Sequence, residues 1–169
     1  RGDERGSLFV ARERGEEGAE RRIDVIAMAM QKGGTVYDLE EAELCYAPQY
    51  GAAKDPVNLA GMIAANVLRG DHPLAHWRDL DKASDIFLLD VREASEYAAG
   101  HVDGATNIPL SQLRQRLGEL PSDREIWMYC AVGQRAYNAT RALSQRALKV
   151  RNLSGGYASY QMQRAADKR

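Results

Sequence analysis

The chain has 169 residues, 44% hydrophobic and 28% charged, enough apolar side chains for a packed core and too many for disorder. With 24 acidic against 23 basic residues the net charge is −1, which gives no general attraction to nucleic acid or an anionic membrane surface. Its 2 cysteines are too few for a disulfide framework or a thiolate metal site, and no apolar run nears the ~20 residues that span a bilayer.

No secretory apolar stretch follows the first residues, so a reducing, cytoplasmic setting is expected, with neither nucleic acid nor membrane as partner and no bound metal. Ser7 to Ala11 reads as a short strand and Arg12 to Gly18 as a charged turn. From Ala19 to Gln31 the residues Ile23, Ile26, Ala27 and Met30 recur at helical spacing, and Gly33-Gly34 stops that helix. A second helix is expected over Asp38 to Glu43, then an aromatic loop from Tyr46 to Tyr50. Asp55 can cap a third helix, Pro56 suits its first position, and Leu59, Met62, Ile63 and Val67 form its apolar stripe up to Gly70. Residues 1–69 thus read as a mostly helical fragment with too few strands to close its own core. They are expected to associate with a second copy as a homodimer or swapped assembly. Gly70 to Asp81 reads as a linker.

From residue 82 strands and helices alternate. Ile86–Leu89 is a continuous apolar run, Glu93–Ala99 a short helix, and Ala105–Ile108 a short strand. Ser111 is expected to cap a helix through Leu117, with a second buried strand over Glu125–Tyr129 and a long helix over Gln134–Ala147. A last strand covers Lys149–Leu153, and Gly155-Gly156 opens a terminal helix. This alternation predicts an α/β fold with a parallel sheet covered on both faces. In such sheets sites gather at the carboxyl ends of the strands, where Cys130 stands.

The chemistry centres on Cys130-Ala131-Val132-Gly133-Gln134-Arg135. A cysteine leaves a buried strand, the chain turns tightly, and an arginine enters the first turn of a helix. Such a loop can turn backbone N–H groups inward as an anion nest, and the helix adds its positive end. Arg135 adds a full charge. Together these favour the thiolate, the reactive form, without a neighbouring histidine. Gly133 fits a position of positive φ. On strand position alone, a buried inert cysteine is an equal reading; the glycine and arginine tip the balance toward function. A Cys-to-Arg phosphatase loop has five intervening residues, whereas here there are four, a smaller ring that suits sulfur better than phosphate.

Cys130-x-x-Gly133-x-Arg135 resembles the active-site loop of the rhodaneses. Further landmarks follow the family's order: Leu89-Asp90-Val91-Arg92, the run from Gly100 through Pro109, and Leu153-x-Gly155-Gly156-Tyr157. The resemblance covers nearly all of 82–162. It implies a sulfurtransferase in which Cys130 takes sulfane sulfur from thiosulfate, polysulfide or a persulfide. The sulfur is then held by the loop from Ala131 to Arg135 and passed to a thiol. Asp90 and Arg92 would brace the site or simply support the fold. Residues 7–69 are similar to the end of the dimerisation domain of coenzyme A-disulfide reductases, through Arg22-Ile23-Asp24-Val25, Tyr37-Asp38-Leu39, Tyr46-Ala47-Pro48 and the run from Ala53 to Asn58. Some of those flavoproteins carry a C-terminal rhodanese domain. The resemblance implies that FAD, NAD(P)H and coenzyme A belong to a full-length reductase, since no G-x-G-x-x-G follows a strand here. It also makes Tyr46 and Tyr50 possible contacts to a partner subunit's site, although packing in a loop is the simpler role. A non-catalytic sulfur-binding or assembly module is the main alternative, against which the intact cysteine, glycine and arginine count. His72 and His76 lack partners at metal-ligand spacing, Cys45 reads as filler, and His101 as a turn hydrogen-bonder.

Overall fold

The computed structural model describes residues 19–49 and 51–167. Its contacts divide it between Asp71 and His72 into two units. The expected strand at Ser7–Ala11 and the turn after it lie outside the described residues.

In the first unit α1 spans Ala19–Gln31, α2 Val36–Glu41 and α3 Pro56–Leu68. The second helix begins two residues before its expected start because Thr35 caps it. The Thr35 hydroxyl accepts the Asp38 N–H at 3.3 Å, and the Asp38 carboxylate accepts the Thr35 N–H at 2.6 Å. It stops at Glu41, where Ala42 turns to ψ 127°. The side-chain amide of buried Asn58 then takes the open carbonyls of Leu39 and Ala42 at 3.0 and 2.9 Å. Asp55 and Pro56 start α3 as expected, with the Asp55 carboxylate accepting the Val57 N–H at 2.9 Å. Gly61 lets α3 lie directly on α2, for a β-carbon there would overlap the Glu40 backbone nitrogen. Ile26, Leu39 and Val57 form a small core, while Ile23, Met28, Leu59, Ile63, Val67 and Leu68 stay exposed.

The second unit is built on a five-stranded parallel sheet in the order β1-β5-β4-β2-β3. Its strands are β1 Leu74–Ala75, β2 Ile86–Asp90, β3 Thr106–Asn107, β4 Glu125–Tyr129 and β5 Val150–Leu153. The helices are α4 Ala94–Ala98, α5 Gln134–Ser144 and α6 Gly156–Asp167. Strand side chains alternate between faces, and both faces are covered. Leu89, Ile126 and Met128 pack with Ala136, Ala139 and Leu143 of α5, whereas Leu88, Trp127 and Tyr129 pack with Trp77, Val102 and Tyr157. That two-sided burial is why β2 and β4 read as unbroken apolar runs.

Three expectations are corrected. The stretch 70–81 is not a linker: β1 lies within it, pairing Leu74 with Asn152 and Ala75 with Leu153, and a 3₁₀ helix follows at Trp77–Lys82. The sheet unit therefore starts at His72 rather than at residue 82. The helix expected from Ser111 to Leu117 is a run of turns with a 3₁₀ turn at Leu117–Glu119. Its backbone is committed elsewhere at the start, Ile108 N–H donating to Asp90 and Leu110 N–H to Val91, so the chain hugs β2 and closes mostly three-residue turns instead. The long helix also stops short of Ala147, which adopts φ +58°.

Candidate active site

Cys130 is buried immediately after β4, and α5 begins at Gln134, so the predicted loop spans the gap between the carboxyl end of the central strand and a helix N-terminus. Gly133 is the N-cap residue with φ +111°. Nothing lies within 4 Å of the place a β-carbon would take there, so backbone conformation rather than space calls for glycine. Its N–H donates to the Cys130 sulfur at 3.1 Å.

The other side of the loop is held by α6. The Tyr157 N–H donates to the Cys130 carbonyl at 2.8 Å, and the Ala158 N–H to the Ala131 carbonyl at 3.0 Å. A trans peptide points its C=O and N–H in opposite directions, so the Ala131 and Val132 N–H groups face away from α6. Gly156 makes this approach possible. With φ +60°, its β-carbon would stand 2.5 Å from the Cys130 carbonyl oxygen and 2.7 Å from that of Ala131. The first amides of α6 are thus engaged by the loop, not free to cradle a pyrophosphate. Val132 and Gln134 are exposed at the rim.

Arg135, part-exposed beside Cys130, already has a carboxylate partner. It forks onto Glu96 of α4 through Nη1–Oε2 and Nη2–Oε1 contacts of 2.6 and 2.7 Å. The fork holds the Glu96 carboxyl down from an ordinary 4.5 to about 2, with the Glu93 N–H contributing as a second donor. In return the carboxylate raises the guanidinium further above its ordinary value. A carboxyl depressed in the folded state stabilises the fold above pH 4.5 or so, and that stability is lost as pH falls toward about 2. Both side chains are about a third exposed, so water screens the pair and the contribution is modest. Glu96→Gln keeps an acceptor for the Glu93 N–H but removes this charge. Its thermal midpoint should fall less steeply than the parent's across that acid range, and identical slopes would count against the pairing.

Asp90 and Arg92, at the end of β2, form a buried pair with Nη2–Oδ2 at 2.6 Å, and Arg92 also donates to the Gly100 carbonyl at 2.7 Å. The guanidinium lies over the Tyr157 ring at 4.2 Å and near the Tyr129 ring at 5.6 Å. The Tyr129 hydroxyl accepts the Val102 N–H at 3.1 Å, and burial pushes its phenol well above the ordinary range. This knot joins β2, β4, the bend at Gly100 and α6 beneath the loop. His101 caps the bend, with Nδ1 3.0 Å from the Tyr97 carbonyl and its ring stacked on Tyr97.

In the first unit Cys45 and Tyr46 are exposed, and Tyr50 lies outside the described residues. Sequence reasoning passed over Glu96, whose pairing with Arg135 leaves no local pattern, and Asn152, and it weighed His72 only as a metal ligand; His72 and Asn152 are both buried. For Asn152 a signal existed: a carboxamide at an inward position of its strand, between buried Val150 and Leu153. Among the described residues no three acidic, cysteine or histidine side chains gather as a metal site, and no helix is long and apolar enough to cross a membrane. A shallow hollow lined by Leu113, Leu117, Leu143 and Arg146 includes no residue of the loop.

The geometry has counterparts in known proteins. The crystal structure of reduced CoADR-RHD of Bacillus anthracis is similar to 83% of this chain at TM-score 0.79 and 43% identity, over 26% of its own length. A sulfurtransferase of Allochromatium vinosum is 34% identical over 82 residues, 48% of this chain and 77% of that protein. The coenzyme A disulfide reductase of Staphylococcus epidermidis is 53% identical over 47 residues, 28% of this chain and 11% of that enzyme. The chain thus spans about a quarter of the first relative and a tenth of the third. The family model for the rhodanese-like domain matches residues 74–163, taking in β1 through most of α6. This chain belongs to the rhodanese-like domain family.

Proposed function

We propose that the second unit is a sulfurtransferase in which Cys130 carries the sulfur as a persulfide. The family match and the likeness to a sulfurtransferase support sulfur transfer in general. The observation that carries the finer reading is the Cys130 sulfur seated under the Gly133 N–H, at a helix N-terminus, in a loop whose carbonyls are drawn off by α6. A thiolate gains from such donors.

With thiosulfate as donor, the Cys130 thiolate attacks the outer, sulfane sulfur. A new S–S bond forms, the bond to the sulfonate sulfur breaks, and its electron pair leaves on sulfite. With a persulfide donor the outer sulfur moves in the same way, and the donor thiolate leaves. In the second half-reaction an acceptor thiolate attacks the outer sulfur of Cys130 and restores the starting thiolate. Within a coenzyme A disulfide reductase-type protein this unit would deliver or collect sulfane sulfur, with FAD, NAD(P)H and coenzyme A bound by other parts of that protein.

Incubation of the full chain with thiosulfate should add one sulfur, about 32 Da, to the peptide that contains Cys130, and a following thiol should remove it. Mass appearing on exposed Cys45 instead would overturn the assignment.

A further inference from the structure

Behind the loop lies a polar contact that the chemistry above does not use. His72, just before β1, and Asn152, in β5, are both buried. The Asn152 Nδ2 donates to the Gly133 carbonyl at 3.2 Å and meets His72 Nε2 at 2.8 Å. A carboxamide nitrogen offers only donors, so Nε2 is the acceptor and the ring proton sits on Nδ1. Turning the amide over would set its oxygen against the Gly133 carbonyl oxygen, so the hydrogen bonds fix its orientation. Burial, with Arg141 nearby, pushes the imidazole down, which suits this neutral acceptor state. The ring also sits edge-on to Tyr137 of α5 at 4.7 Å.

This pair is a poor way to fill a core. His72 Nδ1 and Asn152 Oδ1 are buried without a hydrogen-bond partner, and such atoms cost stability that an apolar pair of similar size would not. What the pair does give is a hold on the loop. The Gly133 carbonyl is grasped from two sides, by the Tyr137 N–H of α5 at 2.9 Å and by Asn152 of β5. Because the peptide is planar and trans, the Gln134 N–H must point the opposite way, out of the helix N-terminus. The Gly133 N–H is already on the Cys130 sulfur. In that direction the Gln134 N–H can meet a second sulfur bonded to the first.

We infer that Asn152, aimed by His72, is a positioning residue that sets the 133–134 peptide to hold the outer sulfur of the Cys130 persulfide. The inference rests on the sulfur-carrier reading of Cys130. Neither residue touches the reacting atoms; both act through the Gly133 carbonyl.

The test replaces the pair in the full chain by His72→Leu with Asn152→Val, and alone by His72→Gln. Three quantities are measured: thiosulfate turnover split into kcat and KM, decay of the added sulfur mass on Cys130 after donor removal, and the thermal midpoint. The apolar pair should lower kcat about tenfold or more and shorten the persulfide lifetime to match. KM should change less, and the midpoint should hold or rise. His72→Gln, whose amide oxygen can accept from Asn152, should recover most of the loss. Unchanged kcat and persulfide lifetime in the apolar variant would overturn the inference. So would a joint fall of turnover and midpoint without recovery in His72→Gln, the mark of a purely structural role. If Cys130 of the parent chain takes up no sulfur at all, the carrier reading fails first, and this one falls with it.

Discussion

Cys130→Ser should abolish sulfur transfer, by about a thousandfold or more in turnover, while the circular dichroism spectrum and thermal midpoint stay near those of the parent. Serine is close to isosteric, and the hydrogen bond that the sulfur accepts from the Gly133 N–H can pass to an oxygen. What cannot pass is the chemistry. At neutral pH an alcohol provides almost no oxyanion, and oxygen cannot stand in for sulfur as the carrier. Losing the nucleophile of a covalent mechanism removes every later step with it. Turnover within tenfold of the parent would mean that another group carries the sulfur. The exposed Cys45 would then be the first to replace.

Asp90→Ala should destabilise the second unit by about 3–5 kcal/mol, a large part of the roughly 5–15 kcal/mol that holds a domain folded. The carboxylate is fully buried and accepts from the Arg92 Nε, Nη2 and backbone N–H, at 2.6 to 3.0 Å. Without it a guanidinium stays in the core with the Gly100 carbonyl and two aromatic faces for company. That is far less than a desolvated charge requires. The measurement is the urea midpoint of the full chain, followed by a probe in the second unit such as Trp127 fluorescence. Adding Arg92→Met to Asp90→Ala should recover part of the loss, because the stranded charge is gone. A loss below about 1 kcal/mol for Asp90→Ala alone would show that Arg92 escapes to solvent.

How far the sequence reached depended on the range of the signal. Ile86–Asp90 and Glu125–Tyr129 announce themselves because a strand buried on both faces must be apolar throughout, and the site follows from where the second one ends. Gly133 was legible as a positive-φ position, since one residue's backbone decides it. Leu74–Ala75 was not: two residues have no periodicity, and their strand character comes only from Asn152 and Leu153 beside them. The turns after Pro109 looked helical because Leu110, Leu113 and Leu117 share a spacing that suits either structure. There the tie of Ile108 and Leu110 to β2 decided. The partner of Arg135 was out of reach for the same reason. Glu96 stands thirty-nine positions away, and only the fold brings the two together. The burial of His72 was hidden in the same way, because the stretch 70–81 read as a linker.

The strand order has a consequence for how the protein is made. Leu74 and Ala75 leave the ribosome before any other strand of the sheet, yet their neighbour is β5, the last strand to be synthesised. Pairing so distant in sequence is slow, because chain closure must come before the contact rewards it. Strands β2 and β4 can meet as soon as Tyr129 is out, and Cys130 follows at once. At that moment α6 is still missing from behind the thiol, and so is the Asn152 carboxamide. A nascent chain therefore presents the bare cysteine for the time that β5 and the start of α6 take to emerge and dock, and only the finished fold buries it.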